Sequence, residues 1–338
     1  MEASELKTFI QGIPKAELHL HIEGSFEPEL MFQIANRNQI AMDYDSVEAL
    51  KKAYNFNNLQ EFLDIYYTGA QVLIHERDFY DLTWAYLTKV HDQNVVHVEV
   101  FFDPQTHTER GIGFDVVIKG IYSALERAKK ELNISYKLIM SFLRHLSEEE
   151  AFKTLESSLP FKHWIDGVGL DSSEVGNPPS KFVNVFKAAA GHGYKLVAHA
   201  GEEGPADYIW EALDLLNVVR IDHGNRCLDD DNLVKRLLDK NIPLTLCPLS
   251  NLELKVIQRM EDHPVSKMLE KGLLATIHSD DPAYFGGYMN ENYYATAKGL
   301  DLSKDQLMQL AINAFEASWL DPETKALRIS EVKNYFNP

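Results

Sequence analysis

Cysteine is nearly absent: Cys227 and Cys247 are the only two in 338 residues. Two thiols build neither a disulfide framework nor a multi-thiolate zinc site, and they suit a reducing compartment. Excess basic charge is missing too, with 33 Lys and Arg against 51 Asp and Glu and a formal net charge of −18. Binding to polyanions rests on Lys and Arg neutralising phosphates, so this balance argues against DNA, RNA and anionic membrane surfaces as partners. No apolar run approaches the ~18 residues that a membrane-spanning helix needs. Residues Met1 to Glu5 lack the basic-then-apolar pattern of a secretory signal, so a cytoplasmic location is the expectation. Linkers rich in Pro, Gly or Ser and repeats at solenoid periods are also lacking, which points to a single domain over 1–338. What is present is ordinary globular material, 45% hydrophobic and 25% charged, enough to rule out a disordered chain.

Short apolar runs recur along the chain, each followed by a polar loop and a helical stretch. They are Ala16 to Ile22, Val95 to Phe102, Tyr136 to Phe142, Ile165 to Leu170, Lys195 to His199, Val218 to Ile221, Ile242 to Cys247 and Leu273 to Ile277. Most are nearly continuous and rich in β-branched or aromatic residues, as strands buried on both faces are. Eight such runs alternating with helical periodicity predict an α/β fold, a (β/α)8 TIM barrel. One connection is too long for that scheme. Between Gly24 and Asn94 several helical patterns carry many aromatics, among them Phe62, Tyr66, Tyr67 and Trp84. A helical insertion over approximately 25–94, at the C-terminal mouth of the first strand, is expected there, either as a lid or as packing against the barrel wall.

The ionisable residues gather at the strand ends. The first strand ends in His19-Leu20-His21, the fifth in His199-Ala200-Gly201-Glu202, the sixth in Asp222-His223-Gly224 and the eighth in His278-Ser279-Asp280-Asp281. Residues two apart in a strand share a face, so His19 and His21 reach one point. All four clusters fall at the C-terminal face, where such barrels place their active sites. Three imidazoles and one carboxylate suit zinc or another borderline divalent ion, one per chain. Such a centre lowers the pKa of a bound water toward ~7, and a hydrolytic reaction class follows.

His19-Leu20-His21-Ile22-Glu23-Gly24-Ser25, His199-Ala200-Gly201-Glu202, Ile221-Asp222-His223-Gly224 and Ser279-Asp280-Asp281-Pro282 resemble the motif series of the adenosine and adenine deaminases, a branch of the metal-dependent amidohydrolase barrels. The likeness runs in order over nearly the whole chain. It implies that His19, His21, His199 and Asp280 hold zinc, that Glu202 passes a proton to the purine ring, and that His223 orients the attacking hydroxide. It further implies substrate contacts at Asp281, Gly169 and Glu23. Attack at purine carbon 6 needs the neighbouring ring nitrogen protonated, and a buried Glu202 has the raised pKa for that task. Asp281 cannot share the metal with its neighbour Asp280, because adjacent residues diverge, so it faces substrate.

Within that family the residues lean toward the free base. The nucleoside enzymes usually have Asp where this chain has Glu23, and the longer side chain is expected to crowd the space of a sugar. The stretches Val168 to Pro179 and Asp281 to Tyr288 also resemble the adenine branch. Deamination of adenine to hypoxanthine and ammonia, a purine-salvage reaction, is therefore expected, with adenosine or N6-substituted adenines as alternative substrates. Two rivals are another amidohydrolase activity and a non-catalytic purine-binding protein. No Lys ends the fourth strand at Asp171-Ser172 to be carboxylated between two metals, and a binder needs no proton relay. His97-Val98-Glu99 resembles the His-x-Glu of cytidine-type deaminases but lacks their Pro-Cys-x-x-Cys partner. His75, His91, His107, His145, His163, His192 and His263 read as surface or packing residues, and His278 is left without a role.

Overall fold

The computed structural model describes residues 3–336, so Met1 and Glu2 of the N-terminal reading lie outside the described residues. Eight strands form one parallel sheet in the order β1 to β8. They are β1 (Lys15–His21), β2 (Val95–Phe102), β3 (Ser135–Leu143), β4 (Gly167–Asp171), β5 (Lys195–Ala200), β6 (Arg220–His223), β7 (Leu244–Leu246) and β8 (Ala275–Ile277). Beyond β8 the chain closes the ring: Leu20 bridges Asp280, the His21 N–H donates to the Asp280 carbonyl at 3.0 Å, and the Asp280 N–H donates to the His19 carbonyl at 3.1 Å. The eight apolar runs of the sequence are these eight strands, within a few residues at each end.

Alternation along β2 shows how the barrel is filled. Val98, Val100 and Phe102 face outward into the apolar layer beneath the helices, while His97, Glu99 and Phe101 point inward. The inner apolar floor is small, formed by Phe101, Ile139 and Val197 with Trp319 packed against it. Outside run α1 (Ala3–Gly12), α2 (Pro28–Asn38), α3 (Val47–Ala53), α4 (Leu59–Ala70), α5 (Glu76–His91), α6 (Pro104–Thr108), α7 (Phe114–Glu131) and α8 (Glu148–Ser158). They continue as α9 (Val183–Gly191), α10 (Ala206–Asp214), α11 (Asp231–Lys240), α12 (Pro248–Glu253), α13 (Val265–Glu270), α14 (Met289–Gly299), α15 (Lys304–Ala317) and α16 (Pro322–Phe336). In α7 the buried Val117, Ile118, Ile121, Ala124, Leu125 and Ala128 make one stripe at helical spacing. Among the described residues no helix is long and apolar enough to cross a membrane.

The long β1–β2 connection divides in two. Helix α5 packs on α7 and β2 as the crossover helix of an ordinary βαβ unit. Gly120 makes that packing close, because a Cβ there would lie 2.3 Å from the Glu76 carbonyl. The added segment is therefore α2 to α4. Its helix α4 places Leu59, Phe62, Leu63 and Tyr66 in a separate apolar cluster with Leu254, Tyr284 and Phe285, over the C-terminal mouth of the barrel. Helix α4 thus lies over the mouth and packs on the loop after β8.

Replacing Phe101 with Ala would empty the barrel floor beneath His21. A loss of ~3–5 kcal/mol is expected for a fully buried aromatic, read as a lowered midpoint in urea denaturation.

Candidate active site

The strand ends converge as their spacing requires. The Nε2 atoms of His19 and His199 lie 3.0 Å apart, and those of His21 and His199 lie 3.1 Å apart. Asp280 Oδ1 stands 3.2 Å from His19 Nε2 and 3.5 Å from His21 Nε2. All four side chains are buried. Burial first, and then the neighbouring imidazoles, keeps His199 neutral. His19 Nδ1 meets the Thr245 carbonyl at 3.1 Å and its hydroxyl at 3.0 Å, so the proton belongs on Nδ1 and the Nε2 lone pair faces the centre. Lone pairs packed this closely repel unless a cation lies between them. Four ligands at zinc-type bond lengths of ~2.0–2.1 Å in a tetrahedron sit about 3.3 Å apart, the spacing seen here. The donor set fits one divalent cation.

The backbone at this centre is unusual. Asp280 and His223 both have positive φ, 63° and 61°, which non-glycine residues rarely adopt. Such strain gathers at functional sites, where surrounding structure holds it in place. His223 Nε2 lies 3.5 Å from Glu202 Oε2 and 3.8 Å from Asp280 Oδ2. Burial pushes the His223 imidazole down to about 3, so it is neutral. Burial and then the charge of Asp280 push the Glu202 carboxyl well above its usual range. The same two causes raise Asp281. Gly24 explains how Asp281 is seated, since a Cβ there would lie 1.9 Å from Asp281 Oδ1. The carboxyl rests against bare backbone.

The cavity beside these groups measures about 410 Å3, its mouth included. His21, His199, Glu202, His223, Asp280 and Asp281 line it, together with Leu59, Phe62, Leu63, Tyr66 and Tyr67 of α4. Two acidic wall residues were not anticipated, Asp103 after β2 and Asp171 at the end of β4, and Ser172 and Leu254 complete the lining. Tyr66 donates to Asp103 at 3.0 Å, and Tyr67 and Ser172 share a hydrogen bond at 3.0 Å, which ties the roof to the walls. Asp103 follows β2 and Asp171 ends β4, the one position signal the sequence offers for them.

Two anticipated substrate contacts lie elsewhere. Glu23 is buried behind the wall, accepting from His107 Nε2 at 2.8 Å and from the Asp103 N–H at 3.3 Å. Its Oε1 therefore supports the backbone at Asp103. Gly169 lies in the barrel interior against Ser141 and Phe101, outside the cavity lining. His107 is a fully buried packing residue with a specific partner, and His278 accepts from the Leu18 N–H at 3.0 Å, turned from the centre.

A closed barrel with three imidazoles and a carboxylate at its C-terminal mouth defines the amidohydrolase class of barrel enzymes. The chain belongs to the adenosine deaminase family, whose model matches residues 14–335. It is 60% identical over 332 residues to an adenine deaminase of Acinetobacter baylyi, covering 98% of this chain and 99% of that one. To an adenine deaminase of Marinomonas sp. it is 59% identical over 324 residues, 96% of this chain and 97% of that one. Among solved structures, an adenine deaminase from Arthrobacter aurescens superposes with a TM-score of 0.95 at 45% identity, covering 97% of this chain and all of that chain. An amidohydrolase from Burkhoderia ambifaria with bound Zn superposes at 0.90 with 25% identity, covering 100% of this chain and 93% of that one.

The Thr245 hydroxyl and carbonyl set the tautomer of His19, and the hydroxyl can be removed without changing shape. Thr245→Val is expected to weaken metal retention about 10–100-fold, the usual cost of losing a partner behind a ligand. Competition with a chelator, read by elemental analysis, measures it.

Proposed function

We propose that this protein is a zinc-dependent adenine deaminase that hydrolyses adenine to hypoxanthine and ammonia in purine salvage. The observation that carries the reading is the near-full-length identity of 58–60% to curated adenine deaminases, joined to a site of matching chemistry. His19, His21, His199 and Asp280 would hold one zinc ion per chain. The ion supplies Lewis acidity that makes hydroxide available from water near neutral pH.

The remaining chemistry falls to the chain's own groups. Glu202, kept protonated by burial, donates its proton to ring nitrogen 1, which makes carbon 6 electrophilic. Neutral His223, in contact with both Glu202 and Asp280, orients the attacking hydroxide and steadies the charge that develops on its oxygen. Asp281, also kept protonated, donates a hydrogen bond to nitrogen 7 of the five-membered ring. Asp103 and Asp171 accept from the ring N–H on the side where a nucleoside would carry its sugar. Hydroxide adds at carbon 6, the proton of the new hydroxyl passes to the exocyclic nitrogen, the bond to that nitrogen breaks, and ammonia leaves as the 6-oxo purine forms, while the proton released from the water restores Glu202. Leu59, Phe62 and Leu63 cover the flat purine and keep bulk water out. In this reading the chain works in the cytoplasm as one catalytic domain on a small purine base. Its buried thiols Cys227 and Cys247 stay reduced there.

Turnover of adenine, followed by ultraviolet absorbance, is expected to exceed that of adenosine at equal concentration, and a preference for the nucleoside would overturn the assignment. Glu202→Gln is expected to lower kcat by about 10²–10⁴-fold, the range for loss of a positioned acid. The sign with pH follows from the raised Glu202 carboxyl. The active form is protonated, so kcat declines as pH rises through that pKa. Its lower neighbour His223 is already neutral throughout. In Glu202→Gln this alkaline decline disappears.

A further inference from the structure

The loop after β4 reaches across to the turn after β5. Glu174 is 1% exposed, and its carboxylate accepts four consecutive backbone N–H groups. Gly201 donates to Oε1 at 2.7 Å. Glu202, Glu203 and Gly204 donate to Oε2 at 3.0, 2.8 and 2.8 Å. Such charge-assisted bonds are roughly twice as strong as neutral ones, and four on one carboxylate is close to its whole accepting capacity. From the other side comes Arg144, 0% exposed, whose Nη1 donates to the His199 carbonyl at 2.7 Å and whose Nε donates to the Asn177 carbonyl at 2.8 Å. The two ends of one turn, the His199 carbonyl and the amides of 201–204, are thus held by buried groups of opposite charge.

Two glycines fit the turn to this grip. Gly201 has φ of 71°, and a Cβ on Gly204 would lie 2.8 Å from the Glu174 carboxylate. The turn sends its side chains two ways. Glu202 enters the cavity beside His223, while the Glu203 carboxylate meets the backbone N–H of Leu59 at the start of α4.

We propose that Glu174 is a positioning residue, which with Arg144 clamps the 201–204 turn and so aims the Glu202 carboxyl at the reacting base. This rests on the role given to Glu202 above. The His199 backbone keeps two holds that do not involve Glu174, the Arg144 bond to its carbonyl and the pairing of β5 with β6 in which it stands opposite Asp222. Loosening the turn therefore misaims the acid and leaves the metal ligand in place.

Glu174→Gln keeps size and turns an N–H2 donor toward backbone donors. Zinc-loaded Glu174→Gln is expected to lose about 10²-fold in kcat on adenine, the scale of an ångström-level misplacement, with KM and zinc content near wild type. Gly204→Ala, which pushes the carboxylate off the turn from the other partner, is expected to do the same. Hydrogen exchange adds a readout independent of turnover: amides 201–204 exchange slowly in the wild type and faster in Glu174→Gln, with Val197 to His199 unchanged. Unchanged exchange at 201–204 overturns the clamp. Faster exchange with wild-type kcat overturns its link to Glu202. Loss of zinc and Tm in step with kcat assigns a purely structural role and also overturns the proposal. A wild-type protein inert on adenine refutes the proposed function instead, and the exchange comparison still decides the clamp.

Discussion

Closure of the barrel and assembly of the candidate metal site are the same event. The seam between β1 and the end of β8 is made by backbone bonds from Asp280 to both His19 and His21. A parallel barrel that fails to close leaves an unpaired strand edge, which is costly in the interior of a protein. Here the residues that satisfy that edge are the ligands themselves. The strand β8 is short, Ala275–Ile277, and the chain leaves regular geometry at Asp280, where φ turns positive. That kink sends the Asp280 carboxylate toward the imidazoles and its neighbour Asp281 toward the cavity. The register of the whole sheet is thereby tied to a distance of about 3 Å between side chains from opposite ends of the sequence.

Beneath the ligands, the barrel interior is polar where an apolar core is the rule. His19 Nδ1 leads to the Thr245 hydroxyl, which donates to Asp222 Oδ1 at 2.9 Å. Arg220 donates to Asp222 at 3.3 Å and to Glu99 at 2.6 Å, and Glu99 also accepts from His97 at 3.2 Å. Burial alone would raise the Glu99 carboxyl, yet the Arg220 guanidinium beside it holds it down at about 2. Burying such charges costs several kcal/mol each before pairing, so this column does not exist for stability. Its position gives it a use: Asp222 accepts from the Thr245 hydroxyl, which leaves that oxygen free to accept from His19 and so fixes the proton on His19 Nδ1. Trp319 stacks over Arg220 at 4.9 Å and closes the bottom.

The parts legible from sequence were those governed by local rules. Strand periodicity and the His-x-His spacing depend on residues two or three apart, and the strand ends follow from them. The parts that were not legible depend on contacts far apart in the chain. Nothing near Glu174 signals that its partners are four amides some thirty residues on. Arg220 reads as the start of an unremarkable strand until Glu99 is seen opposite it. Asp103 follows β2, Asp171 ends β4, and neither carries a motif of its own. Glu23 shows the same limit: its position beside His21 gives its neighbourhood but not its direction, which His107 and the Asp103 N–H set. Within the segment 25–94, α5 has the same aromatic richness as α4, and only its packing on α7 and β2 marks it as an ordinary crossover helix.

One sequence element, Asp280-Asp281, illustrates how neighbouring identical side chains come to do opposite things. Both are buried, and burial alone would push both carboxyls up. Asp280 faces the His19, His21 and His199 imidazoles across the gap that fits a divalent cation, a setting that favours its ionised form. Asp281 faces Asp280 itself, with Asp103 and Glu23 nearby, and is driven the other way. One is thus an acceptor suited to a cation and the other a donor suited to a ring nitrogen. Pairs of acids with pKa values forced apart are how one site runs acid and base chemistry at a single pH. The kink at Asp280 decides which carboxylate receives which surroundings. A one-residue slip of the seam would exchange the two, so the strained backbone at Asp280 is the feature on which the division of labour rests.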